Sequence, residues 1–171
     1  MELSKSKIHE ILNLNKLNLN EDYSLDNILN RLNTTFQITK NIIYKYNFKE
    51  IEDSKFESQK HNMNPILWEF GHFLNFWENL ILKNLEGKSD KLNTYNFTLE
   101  NKYYDSYLLS KKNRFFYYDK LVGYEDLKII MDNIQILLNE NIKTNYNNIN
   151  IYLLHLGLSH QHMHNESFIF T

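Results

Sequence analysis

The sequence predicts an all-α fold, a single bundle of four long helices. Three observations carry that expectation. Apolar residues recur at helical spacing almost throughout the chain. No segment alternates apolar and polar residues as a half-buried strand does. One segment, beginning at Pro65, is apolar on two sides, which suits a helix at the centre of a bundle. At 171 residues the chain has the length of one domain, with a short helical lead over 1–23 and the bundle over 24–171.

The lead is expected to be helical around Lys5 to Leu12, where Ile8, Ile11 and Leu12 share a side. The first long helix is predicted near 24–47. Ser24 is its N-cap, and Leu25, Ile28, Leu29, Leu32, Phe36, Ile43 and Tyr46 form its apolar stripe. Residues 49–60 are charged without periodicity and read as a surface connection. The second helix, 65–85, has Pro65 as its first residue and Asn64 as its cap. One of its stripes is Ile66, Phe70, Phe73, Trp77 and Ile81; the other is Trp68, His72 and Phe76.

A third helix is expected over 123–142, with Leu127, Ile130, Met131, Ile134, Leu137 and Leu138 inward. The fourth, 148–169, aligns Leu153, Leu156, Gly157, His160, His164 and Phe168. The connection from Gly87 to Val122 is longer than bundle connections usually are and holds nine of the chain's 25 aromatic residues. Long ordered connections of this kind tend to cover something or to carry function.

Composition removes several classes. The 19 basic and 21 acidic residues leave a formal charge of -2 with no charged tail, so no nucleic-acid partner is expected. There is no cysteine, which excludes disulfides, thiolate metal sites and cysteine nucleophiles. No stretch is apolar for the roughly 18 residues a membrane helix needs, and the N-terminus lacks a signal-peptide apolar core. The expected location is the cytoplasm. The excess of Asn, Lys and Ile, with no alanine, is how an AT-rich genome spells an ordinary protein.

The seven histidines carry the chemistry. In His160-Gln161-His162-Met163-His164, a turn of about 100° per residue puts His160 and His164 on one face and His162 nearly opposite. Two imidazoles at i and i+4 bind one ion without distorting a helix, but a mononuclear site wants a third ligand. His72 is the best candidate: it lies between Trp68 and Phe76, on a side where a lone imidazole is costly to bury. Three histidines with open positions form the catalytic rather than the closed structural pattern of metal site. The competing reading makes His72 a hydrogen-bonded core residue. His155 and His162 share another face and are expected to hydrogen-bond or lie at the surface; His9 has no partner four residues on, and His61 precedes a helix in solvent.

Two segments resemble a known family. Asn64-Pro65-Ile66-Leu67-Trp68-Glu69-Phe70-Gly71-His72, continuing through Phe76-Trp77-Glu78, is similar to the P-x-x-W-x-x-G-H…F-E signature of DinB-like domains. The similarity is greatest to the N-terminal domains of ergothioneine and ovothiol sulfoxide synthases. Leu156 to Glu166 resembles their L-G-x-x-H-E-x-x-H-x-E segment, and Tyr104-Asp105-Ser106-Tyr107 their F-N/D-S-Y run. Order and spacing agree from about residue 24 onward.

The resemblance implies a DinB-like four-helix bundle in which His72, His160 and His164 hold ferrous iron, with zinc or nickel as the ions expected to replace it in a crystal. It further implies an oxidoreductase function in which O2 is used to join a thiol to the imidazole of a histidine derivative. Tyr104, Tyr107 and Met163 are then candidates for the substrate site, and Trp68, Glu78 and Glu166 for supporting the ligands or tying helices. Two departures stand out. Gln161 replaces the family's usual Glu, and the given chain ends at Thr171, seven residues beyond His164, where the synthases continue into a formylglycine-generating-enzyme-like domain. The expectation is therefore that activity needs a partner chain carrying such a domain, or a homo-oligomer. The alternatives are a DinB-type metal-dependent thiol transferase and a non-enzymatic metal-binding bundle.

Overall fold

The computed structural model describes residues 24–45, 50, 61, 63–85 and 87–170. The helical lead, His9, Tyr46 and most of the expected 49–60 connection lie outside them. Among the described residues the chain is all-helical, with no strand. Seven α-helices are delimited within the described residues: α1 (Leu25–Ile43), α2 (Ile66–Asn75), α3 (Asp90–Thr94), α4 (Asn101–Tyr104), α5 (Lys111–Phe116), α6 (Tyr124–Asn145) and α7 (Ile151–Phe170). The four expected segments are all helical, and the three additional helices are short turns within the 87–122 connection. α1 packs on α6 and α7, and α2 packs on α6, α7 and the short α4. No helix of the described residues is long and apolar enough to cross a membrane.

Ser24 caps α1 as its spacing predicts, its hydroxyl accepting the N–H of Asn27. The start of α2 differs from expectation. Pro65 occupies the cap position and Asn64 does not cap; its amide donates to Glu69 Oε2 at 2.8 Å and its oxygen accepts from Arg114 at 2.7 Å. Every residue of α2 is buried, as the doubled apolar pattern requires. Beyond Asn75 the helix widens into a π segment over Phe76–Ile81 and tightens into a 3-10 turn over Leu82–Asn84. Trp77 and Glu78, adjacent within the π segment, are both wholly buried.

Glu78 ties the connection to this segment. Its carboxylate accepts from the Tyr95 hydroxyl at 2.5 Å and the Leu99 N–H at 3.0 Å. Burial pushes the carboxyl above its ordinary range, against the pull of those hydrogen bonds. Asn75 and Asn79 each donate to the Leu99 carbonyl, at 3.0 and 2.9 Å, so three side chains of one helical segment strap down the same stretch.

Two glycines permit close approaches. A Cβ at Gly157 would lie 2.5 Å from Trp77 Cη2, and one at Gly71 would lie 2.1 Å from Tyr104 Cε1. The first lets α7 close on the π segment that continues α2, and the second lets the connection close on α2. The buried interface is also polar. Trp77 Nε1 donates to Gln161 Oε1 at 2.8 Å, Gln161 Nε2 donates to Thr39 Oγ1 at 2.6 Å, and that hydroxyl lies 2.8 Å from Asn165 Oδ1. An amide suits position 161 because it offers an acceptor to the indole and a donor to the threonine.

Candidate metal centre

α7 presents His160 and His164 on the face toward α2, and α2 presents His72 back. The ring centroids lie 5.2 Å (His72–His160), 4.9 Å (His72–His164) and 4.4 Å (His160–His164) apart. One ring nitrogen from each histidine falls within 4.8 Å of the others, a grouping suited to a metal ion. His160 Nε2 and His164 Nε2 are 3.2 Å apart. Two nitrogens each about 2.1 Å from one ion would be separated by about 3.0 Å at right angles and about 3.4 Å at the tetrahedral angle, so the observed spacing fits.

The far nitrogens decide which atoms face inward. His72 Nδ1 lies 2.5 Å from the Tyr104 carbonyl, which can only accept, so Nδ1 carries the proton and Nε2 the lone pair. His164 Nδ1 lies 2.7 Å from Glu69 Oε1, with both side chains buried. A ring nitrogen donating to a carbonyl or carboxylate is the usual support for a metal-binding histidine, fixing its tautomer and orientation. His160 Nδ1 is buried and has no hydrogen-bond partner among the described residues, and the ring is held by stacking on Phe76 at 3.9 Å between centroids.

Burial and the neighbouring His164 lower His72 to about 4, and burial with both neighbouring imidazoles lowers His160 to about 3. Both rings are therefore neutral near pH 7, the form in which imidazole binds a cation. Burial would raise Glu69, but hydrogen bonds from His164, Asn64 and Ser167 outweigh it and hold the carboxyl at about 2. Glu69 is thus a fixed anion behind His164. Arg114 completes this support: it bonds Asn64, which bonds Glu69, and its guanidinium lies 3.9 Å over the Trp68 ring. Trp68 in turn stacks on His72 with centroids 4.6 Å apart and donates its Nε1 proton to the Tyr103 carbonyl at 2.8 Å.

Tyr107 and Met163 line a cavity of about 480 Å³ that reaches His72 and His160. Tyr104 does not line it. Its ring is buried against Gly71, its hydroxyl accepts the Val122 N–H at 2.7 Å, and its carbonyl holds His72. Glu166 is exposed, and the carboxylate that touches His164 is that of Glu69. Glu69 has a sequence signal in retrospect, as a lone acid inside the most apolar helix. His162 lies on the opposite face with Nε2 3.1 Å from Thr35 Oγ1, and His61 is exposed.

Glu69→Gln keeps the size of the side chain but removes the anion. Affinity for a divalent ion is expected to fall by about 10- to 100-fold with the fold retained, measured by competition with a chromophoric chelator. Unchanged affinity would show that the Glu69–His164 contact serves packing alone.

No protein-family model, curated protein or solved structure matches this chain.

Proposed function

We propose that the chain is a DinB-like four-helix bundle, built from α1, α2 with its continuation, α6 and α7, whose histidines 72, 160 and 164 hold a mononuclear non-haem iron. The observation that carries this reading is the set of inward ring nitrogens, two of which are backed by a carbonyl and a carboxylate on the far nitrogen. Ferrous iron is favoured because three neutral imidazoles leave positions open for O2 and a thiolate together. The resemblance of the Trp68–His72 and Leu156–Glu166 segments to sulfoxide synthases names the reaction, the joining of a thiol to the imidazole of a histidine derivative.

Bound at this site, iron supplies the activation of O2 and a seat for the thiolate. The chain's own residues hold the ligand rings, pack Trp68, Phe73 and Phe76 against them and line one cavity beside them. That cavity is walled by α2, α7 and the connection, with Tyr107 98% exposed and Met163 54% exposed at its edge. Apolar surface of this kind beside a metal site suits coverage by a second chain or domain, which would complete the thiol and imidazole subsites.

Anaerobic titration with ferrous iron, followed by O2 uptake in the presence of cysteine and a histidine derivative, tests this. One ion per chain is expected, with little or no turnover by the chain alone. Turnover of about 1 per second or faster without a partner would refute the need for one. Thiol transfer that proceeds without O2 would replace the synthase reading with a thiol transferase.

A further inference from the structure

We propose that Arg114 is a positioning residue for two of the three histidines, and that through it the surface helix α5 is coupled to the ion. This role rests on the metal reading and concerns what holds the site in shape rather than what enters it. α5 contributes little else to the fold. None of its residues is buried, so it adds no side chain to the core. Its fourth residue, Arg114, is half-buried and reaches back across 50 positions of sequence to Asn64. Two separate routes run from this arginine to the ligands.

The first route is a chain of hydrogen bonds. Arg114 Nη1 donates to Asn64 Oδ1 at 2.7 Å, Asn64 Nδ2 donates to Glu69 Oε2 at 2.8 Å, and Glu69 Oε1 accepts from His164 Nδ1 at 2.7 Å. The arginine decides which way round the Asn64 amide stands. A guanidinium can only donate, so it claims the amide oxygen and leaves the amide N–H for the carboxylate, which can only accept. The second route is a stack. The guanidinium carbon lies 3.9 Å from the centre of the Trp68 ring, and that ring lies nearly parallel to His72, at 11° and 4.6 Å. Trp68 cannot turn about the stack without giving up its hydrogen bond to the Tyr103 carbonyl.

One planar cation serves both routes, its face on the indole and its edge on Asn64. Lysine carries the charge but has neither the flat face nor the fork of donors. The contacts that keep His72 and His164 in their binding orientation are thus the same contacts that pin α5. Such linkage is reciprocal: if loosening α5 weakens the ion by some factor, filling the site holds α5 down by the same factor.

Two measurements on wild type, Arg114→Lys and Lys112→Met test this. Cobalt(II) affinity is read by competition with a chromophoric chelator, and the opening of α5 by hydrogen exchange of the Arg114 and Tyr117 amides, which bond the Ser110 and Asn113 carbonyls. A variant of position 114 retains its own amide, so the same two sites are read throughout. Arg114→Lys is expected to lower cobalt affinity by about 5- to 20-fold, somewhat less than the loss of a group touching a ligand directly. Lys112→Met, an exposed residue of the same helix, should change it by less than about twofold. Saturating cobalt should slow α5 exchange in wild type by about the factor that Arg114→Lys costs in affinity, and should not slow it in Arg114→Lys. A merely structural role would lower the melting temperature of Arg114→Lys and leave its cobalt affinity at the wild-type value, which would overturn the proposal. Equal affinity losses in both variants, or α5 exchange that cobalt slows equally with and without the arginine, would also overturn it while leaving the metal site standing. Failure of wild type to bind cobalt would overturn the metal reading and the role of Arg114 together.

Discussion

Replacing His160 with alanine is expected to lower affinity for ferrous iron by at least about 100-fold, because losing even a group that merely supports a ligand costs about 10- to 100-fold. His160 is the cleanest of the three to remove. His72→Ala would free the Tyr104 carbonyl, and His164→Ala would strand the buried Glu69 carboxylate. His160 Nδ1, by contrast, has no hydrogen-bond partner among the described residues, and its ring stacks on Phe76 and faces His72 and His164. The metal-free variant should therefore melt within about 4 °C of wild type. His162→Ala, on the opposite face against Thr35, should leave affinity unchanged. Equal losses from both variants, measured by anaerobic titration and thermal melting, would mean that the effect comes from the helix rather than the ligand set.

The second large effect is on stability. Gly71→Ala places a methyl 2.1, 2.7 and 2.8 Å from three atoms of the Tyr104 ring. The ring cannot swing away freely, because its hydroxyl accepts from Val122 and its own carbonyl holds His72. Overpacking of this kind costs about 3 kcal/mol, lowering the melting temperature by about 6–12 °C. Iron affinity should fall in the same variant, since the movement that relieves the clash pulls the carbonyl from His72. Tyr104→Leu in the Gly71→Ala background should recover part of the stability, a favourable coupling that a double-mutant cycle reads directly. Purely additive losses would show that the ring and the glycine do not press on each other.

The contrast between what the sequence yields and what it hides follows from where each contact is encoded. The stripes of α1, α2 and α6 are local periodicities, so these segments are predicted as helices. Their ends are less legible: α1 ends at Ile43 rather than 47, and α2 at Asn75, continuing as π and 3-10 turns. In α7 the buried leucines are Leu154 and Leu158 rather than the expected Leu153 and Leu156. The convergence of His72 with His160 and His164 follows from i, i+4 geometry and from the doubled apolar face of α2. The π segment at Phe76–Ile81 has no such periodicity of its own. The role of Tyr104 is invisible for another reason: a backbone carbonyl supports His72, and every residue has one. Glu69 looks like one more helix-forming acid until α7 brings His164 against it across 95 positions of sequence. Asn64 follows the N-cap rule in sequence, yet Glu69 and Arg114 compete successfully for its amide.

The central claim is that His72, His160 and His164 bind one ion together. X-ray absorption fine structure on protein loaded anaerobically with one equivalent of ferrous iron tests it most directly. The account predicts scattering from three imidazoles, with iron–nitrogen distances of about 2.1 Å, falling to two imidazoles or to a loss of bound iron in His160→Ala. A first shell of oxygen alone, or an imidazole count that His160→Ala leaves unchanged, would contradict it.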